Sequence, residues 1–294
     1  MKSQLEFSII IPTYNRPERL EKCLESMTRL DYPSNRFQVI VVDDGSRMSL
    51  KPIIAKFENT LSLELIRQSN AGPASARNTG AAAACGDYLV FTDDDCQPHP
   101  DWLQTLAEAI KDFPDTLIGG HTINALADNI YSSASQLLID YIYDYYNQLK
   151  GEATFFASNN FALPRELYQQ LGGFDTSFPL AAGEDRELCD RWLHHGFQMH
   201  YHRAMQIHHA HSLKLKSFWG QHFNYGRGAF YFHKVRSQRQ SQSIKVEPLT
   251  FYFRLLVYPF KKQQGWRSLS LSGLFFLSQV ANVGGFFWER HQVR

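Results

Sequence analysis

Four apolar runs mark the first hundred positions: Ser8–Ile11, Phe37–Val42, Leu63–Ile66 and Tyr88–Phe91. Runs this short and continuous read as strands buried on both faces, as in a mainly parallel sheet covered by helices. Helical spacing fills the intervals. Leu20, Cys23, Leu24 and Met27 recur three and four apart, with Asn15 as the expected cap and Pro17 and Glu18 in the first turn. Gly72-Pro73 opens an alanine-rich helix that carries Arg77, and Leu103, Leu106, Ala107 and Ile110 share one face of a helix expected over 101–110. This alternation predicts an α/β fold of Rossmann-like kind, with ligands at the carboxyl ends of the strands.

The second half is less regular. Residues 130–150 are tyrosine-rich and read as a helix that walls a groove, Phe155–Leu163 as a strand, and Pro164 as the start of a short helix. Leu188, Cys189, Trp192 and Leu193 repeat at helical spacing up to Gly196, so Glu184 and Asp185 fall in the first turn of that helix. A strand ending in Ile207-His208-His209-Ala210-His211 follows.

From residue 213 the chain changes character. Leu215, Phe218, Trp219, His222 and Phe223 fall on one side of a basic helix, 237–243 reads as a hinge, and two aromatic-rich helices are expected over 249–262 and 269–288. The last is nearly long enough to span a bilayer, but three serines, Gln279 and Asn282 favour docking on a membrane surface over crossing it. Packing on the rest of the chain, or a homo-oligomer contact, is the competing role. The expected division is therefore 1–212 as a catalytic domain, with halves 1–110 and 111–212, and 213–294 as a helical extension.

Composition narrows the classes. With 44% hydrophobic residues, 20% charged residues and a net charge of +1, the chain is neither disordered nor polybasic, and a general nucleic-acid binder is not expected. Cys23, Cys85, Cys96 and Cys189 lack the short paired spacings of a zinc site and read as reduced thiols. Met1–Phe7 is polar and runs into the first strand, so no leader is expected, and the catalytic part is expected in the cytoplasm.

The candidate chemistry lies where apolar runs meet carboxylates. Asp93, Asp94 and Asp95 follow the fourth strand; alternation would turn Asp93 and Asp95 one way and Asp94 the other. One carboxylate could then meet a nucleotide ribose and another a hard divalent ion such as Mn2+ or Mg2+. By itself Asp-Asp-Asp is equally a solvated turn. Asp43 or Asp44 could accept from a base or a ribose. Arg77, one turn into its helix, suits a diphosphate or a surface ion pair.

In order, SIIIPTYNR (8–16), VVDDGS (41–46), AGPASARNTG (71–80) and FTDDDCQPHPDWL (91–103) resemble the nucleotide-binding half of family 2 glycosyltransferases, which have the GT-A fold. The resemblance implies an inverting, metal-dependent transferase using a nucleotide-diphosphate sugar, a UDP-sugar, on a saccharide or lipid-linked acceptor at the inner face of the cell membrane. It implies that Pro12 and Tyr14 line the base pocket, that Asp43 contacts the base, that Asp93 lies near the ribose with Asp44, Asp94 and Arg77 in the same nucleotide site, and that Asp95 holds the metal. Gly183-Glu184-Asp185 resembles the acceptor-side motif, which makes Asp185 the base and Glu184 its acceptor-binding neighbour. The histidine after the last core strand aligns with His209, and His211 is second choice.

Two other classes compete. A sugar-nucleotide nucleotidyltransferase needs an early glycine-rich basic loop, whereas residues 10–20 offer Arg16 and Arg19 and no glycine. A non-catalytic nucleotide-sugar-binding scaffold would not require both acidic clusters. A processive synthase would carry Gln-x-x-Arg-Trp, but Arg191-Trp192 follows Leu188.

Overall fold

The computed structural model describes residues 6–148, 153–178, 182–240 and 247–293. In chain order the elements are β1 (Phe7–Thr13), α1 (Pro17–Met27), β2 (Phe37–Asp43), α2 (Lys51–Ile54), β3 (Leu63–Arg67), α3 (Pro73–Ala83), β4 (Tyr88–Thr92) and β5 (Cys96–Pro98). They continue with α4 (Trp102–Asp112), β6 (Thr116–Asn124), α5 (Ile130–Tyr143), β7 (Asn160–Pro164), α6 (Arg165–Leu171), α7 (Glu184–His194) and β8 (Gln198–His209). Three long helices follow: α8 (Leu215–Gln240), α9 (Leu249–Lys262) and α10 (Trp266–Gln292).

One sheet runs in the order β3-β2-β1-β4-β7-β6-β8-β5. The first four strands are parallel, β7 is antiparallel to both neighbours, β6 and β8 are parallel, and β5 closes the edge antiparallel to β8. Period-two alternation sorts the apolar runs onto two covered faces. Ile9, Ile11, Val39, Val41 and Val90 pack under α1 and α4 with Leu20, Leu24, Trp102 and Leu106. Ile10, Ile40, Val42, Leu89 and Phe91 pack on the other face with Ala76, Leu188 and Trp192.

Several expectations need correction. Asn15 does not cap α1: its φ is 55°, its side chain accepts from the Arg47 amide, and Arg16 occupies the cap position. The strand expected over Phe155–Leu163 begins only at Asn160. Upstream of it, the amides of Thr154 and Phe155 bond the Asn147 carboxamide and that of Ala157 bonds the Tyr143 hydroxyl, so side chains take the place of a ladder.

β6 was not expected at all. Gly119 and Gly120 weaken its pattern, yet both are required by close approach: a Cβ at Gly119 would enter the Phe156 ring, and one at Gly120 would meet the Met205 carbonyl. Residues 237–240 continue α8 and form no hinge there, while 241–243 lie outside the described residues. The single-sided stripe proposed for the start of α8 is split, with Phe218 and His222 buried and Leu215 and Trp219 exposed.

The three last helices form their own layer. Ala134, Leu138 and Tyr141 of α5 share a cluster with Phe218, Phe251, Leu255, Leu271 and Phe275. α8 and α10 approach closely, since a Cβ at Gly226 would run into the Asn282 carbonyl and one at Gly285 into the Phe223 carbonyl. Arg227 and Tyr231 meet the buried Glu289 at 2.5 and 2.7 Å. By length and composition α10 could cross a membrane, and only 28% of its most apolar window is buried.

Candidate active site

The chain turns as soon as β4 ends, so the three aspartates do not alternate. The Cys96 amide bonds back to the Asp93 carbonyl at 3.1 Å, and each carboxylate takes its own partners. Asp93 accepts from Arg77 at 2.8 Å. Asp94 accepts from Thr13 Oγ1 at 2.7 Å and Arg16 at 3.2 Å. Asp95 accepts from Arg19 at 2.8 Å, with His209 Nε2 at 3.1 Å and His211 Nδ1 at 3.6 Å. Asp94 and Asp95 therefore face one side, joined by Arg16, and Asp93 the other. Burial pushes Asp94 up to about 6 against the pull of Arg16 and Thr13. Burial acts on Asp95 in the same sense, but the hydrogen bonds and charges of His209 and His211 outweigh it and hold this carboxylate well below its usual range.

Strand pairing explains how the histidines reach Asp95. β5 and β8 pair Cys96 with His209, and the Ala210 amide bonds the Asp95 carbonyl at 2.8 Å. His209 and His211, two residues apart on an extended segment, point the same way and stack with ring centroids 5.3 Å apart. His208 pairs with Gln97 and faces away. Ligand atoms of Asp95, His209 and His211 all lie within 4.8 Å of one another. One carboxylate and two imidazoles suit a borderline divalent ion, so the residues present fit a metal.

The second acidic pair sits at the start of α7, after Gly183 with φ 94°. Glu184 Oε1 accepts from Arg77 at 3.3 Å, whereas Oε2 is buried with no hydrogen-bond partner among the described residues. Burial, with the neighbouring charge of Asp185, pushes Glu184 up to about 7. Asp185 is also raised by burial, in spite of backbone amides at Arg186 and Ser158 and the charge of Arg77. Arg77 is itself buried, its plane over the Phe174 ring at 5.4 Å, and it spans from Asp93 to Glu184. The surface ion pair open to Arg77 from the sequence is thus excluded. Arg77 thereby joins the two acidic stretches.

At the neighbouring strand ends of the same rim, Pro12 is buried in β1 and Tyr14 is exposed just beyond it. Asp43 Oδ1 accepts from the Ser46 amide at 2.8 Å, and its Oδ2 lies 3.7 Å from Arg67. Asp44 is built into its surroundings. Its carboxylate accepts from Gln68, Asn70 and the amides of Ala71 and Gly72 at 2.8–3.1 Å, so it shapes the loop into α3 and its oxygens are already engaged.

Four groups of the site were not read as such from the sequence. Arg16 and Arg19, three apart at the start of α1, lie on the Asp94–Asp95 side; their spacing on a helix that begins at the rim was the available signal. Gln221 and Tyr225 come from α8. Tyr225 is exposed, and its hydroxyl accepts from Gln221 Nε2 at 2.6 Å. Nothing in the local sequence marks either residue.

The sequence profile described as "Glycosyl transferase family 2" matches residues 8–172, more than half the chain and all of the β1–β4 rim. The chain belongs to glycosyltransferase family 2. A second profile, "N-terminal domain of galactosyltransferase", matches residues 143–216, which include Asp185, His209 and His211. Among family 2 relatives, glycosyltransferase AglE of Haloferax volcanii is 40% identical over 124 residues, 41% of this chain and 41% of that protein. Hyaluronan synthase of Pasteurella multocida is 31% identical over 224 residues, 64% of this chain and 23% of that protein. The chain thus spans less than half the length of these curated relatives. A solved mannosyltransferase from Pyrobaculum calidifontis, in complex with GDP-Man and Mn2+, superposes with a TM-score of 0.63 at 20% identity, covering 95% of this chain and 87% of that one. The mixed sheet with its C-terminal helices is a GT-A-like fold.

Proposed function

We propose that this chain transfers a sugar from a nucleotide-diphosphate donor, a UDP-sugar, to an acceptor hydroxyl with inversion at the anomeric carbon. The observation that carries the reading is the buried Arg77, which joins Asp93 at the strand end to Glu184 beside Asp185. In this reading Pro12 and Tyr14 border the base, Asp43 accepts from it, and Asp93 lies by the ribose. Asp95 and His209, with His211, hold Mn2+ or Mg2+. A bound ion there offsets the charge that gathers on the departing diphosphate. Asp185 takes the acceptor proton as the hydroxyl oxygen bonds to the anomeric carbon, and the bond to the diphosphate oxygen breaks with its electron pair leaving on phosphate. Glu184 supports acceptor binding, and Arg77 holds the acidic groups in place. The division into a nucleotide half, an acceptor half and a helical extension belongs to the same reading.

The acceptor is a saccharide or lipid-linked glycan for the cell surface, met at the inner leaflet. Exposed Phe253, Trp266, Leu269, Phe276, Val283 and Phe287 on α9 and α10, flanked by Lys261, Lys262 and Arg290, support docking on an anionic bilayer. The test is a screen of nucleotide sugars for Mn2+-dependent nucleotide release by the purified full chain. Release by the parent and not by Asp185→Asn supports the assignment. Equal release by both means that the base lies elsewhere.

A further inference from the structure

α8 lies beyond both matched profiles for all but its first two residues, yet it reaches the metal cluster. Gln221 Oε1 lies 3.0 Å from His211 Nε2. Its amide nitrogen donates to Tyr225 Oη at 2.6 Å and approaches Ser135 Oγ at 3.4 Å. The carboxamide nitrogen faces the two hydroxyls and its oxygen faces His211 Nε2, so a proton on Nε2 would be held there and Nδ1, 3.6 Å from Asp95, left as the ligand atom. The His211 backbone is fixed separately, its carbonyl accepting from Ser132 on α5 at 2.6 Å.

From this geometry we infer that Gln221 is a positioning residue for the metal site, fixing the tautomer and ring plane of His211 so that Nδ1 serves as a ligand. Histidine ligands need such a partner on their other nitrogen. Tyr225, one turn further along the same helix, accepts from the Gln221 nitrogen and so helps to hold the carboxamide. Gln221 contacts neither donor nor acceptor. It acts through His211, and the inference rests on the metal assignment above.

The experiment is calorimetric titration of Mn2+ into the full chain and its variants, with thermal unfolding measured in the absence of metal. Gln221→Leu removes the acceptor and is expected to weaken Mn2+ binding about 10- to 100-fold. Gln221→Glu keeps an acceptor and is expected to bind within a few-fold of the parent. His211→Ala should weaken binding on its own, and adding Gln221→Leu to it should cost nothing further, whereas a merely structural role would add. Ring-nitrogen chemical shifts of His211 should report the Nε2-protonated form in the parent and a mixture in Gln221→Leu. If Gln221→Leu binds Mn2+ like the parent, or its full loss persists on the His211→Ala background, the inference is overturned. A parent chain that binds no Mn2+ overturns the metal assignment itself. If Gln221→Leu does not fold, the comparison of Gln221→Glu with Gln221→Met decides the same question.

Discussion

Arg77 and Glu184, 107 positions apart in the chain, meet at 3.3 Å inside the protein, and the second oxygen of Glu184 has no hydrogen-bond partner among the described residues. Removing the cation strands buried carboxylates. Arg77→Ala should destabilise the chain by about 3–5 kcal/mol, the usual consequence of breaking one side of a buried pair, measured by urea unfolding at pH 8. Glu184→Gln should behave differently, since it removes a buried charge and leaves an acceptor for Arg77.

The pH dependence of that second variant has a defined sign. Burial and the Asp185 charge push Glu184 up to about 7 in the folded chain, against 4.5 for a free glutamate side chain. Its contribution to stability is fully present below 4.5 and is lost as pH rises through 7. Across that window the metal-free parent should lose stability relative to Glu184→Gln, which urea midpoints taken at half-unit intervals would record.

Activity should run the opposite way. A base works only when ionised, and Asp185 is raised by burial. Nucleotide release should climb with pH through the acidic range, and Glu184→Gln should move this limb to lower pH by removing a neighbouring negative charge. Asp185→Asn should lower the rate by about 10²- to 10⁴-fold while leaving UDP binding nearly intact, as calorimetry would show.

Metal binding has its own readout. Mn2+ at a hundred times its Kd should raise the parent's unfolding free energy by about 2.7 kcal/mol, and Asp95→Ala should show no such gain. The comparison needs only a thermal melt with and without the ion.

The outer helical face gives a fifth check. Phe276 and Phe287 are more than half exposed, at 61% and 57%. Replacing both by glutamate should abolish cosedimentation with anionic vesicles, yet change stability by only about 0.5 kcal/mol per site, because both rings are mostly exposed.

Much of the rim could be read from the residues. Ile9 and Ile11 against Ile10 already imply two covered faces, and the carboxylates that follow β2 and β4 sit at strand ends as their runs suggest. The turn after β4 hid the true facing of Asp93, Asp94 and Asp95, because period two holds only while the chain stays extended. β6 was hidden by Gly119 and Gly120, whose use is a close approach by Phe156 and the Met205 carbonyl from far along the chain. Asp44 looked like a free acid and is engaged by Gln68, Asn70 and two amides. The roles of Gln221 and Tyr225 arise from the packing of α8, which no local spacing encodes.

The glycine contacts between α8 and α10 bear on that last point. At Gly226 and Gly285 bare backbone meets backbone, so the outer helix touches the one that carries Gln221 directly there, with Arg227 and Tyr231 bonding Glu289 alongside. Tilting α10 would therefore drag α8 with it. A surface that seats the outer helix would set the angle at which the His211 ring is presented, so anchorage and ion affinity become properties of a single rigid lever.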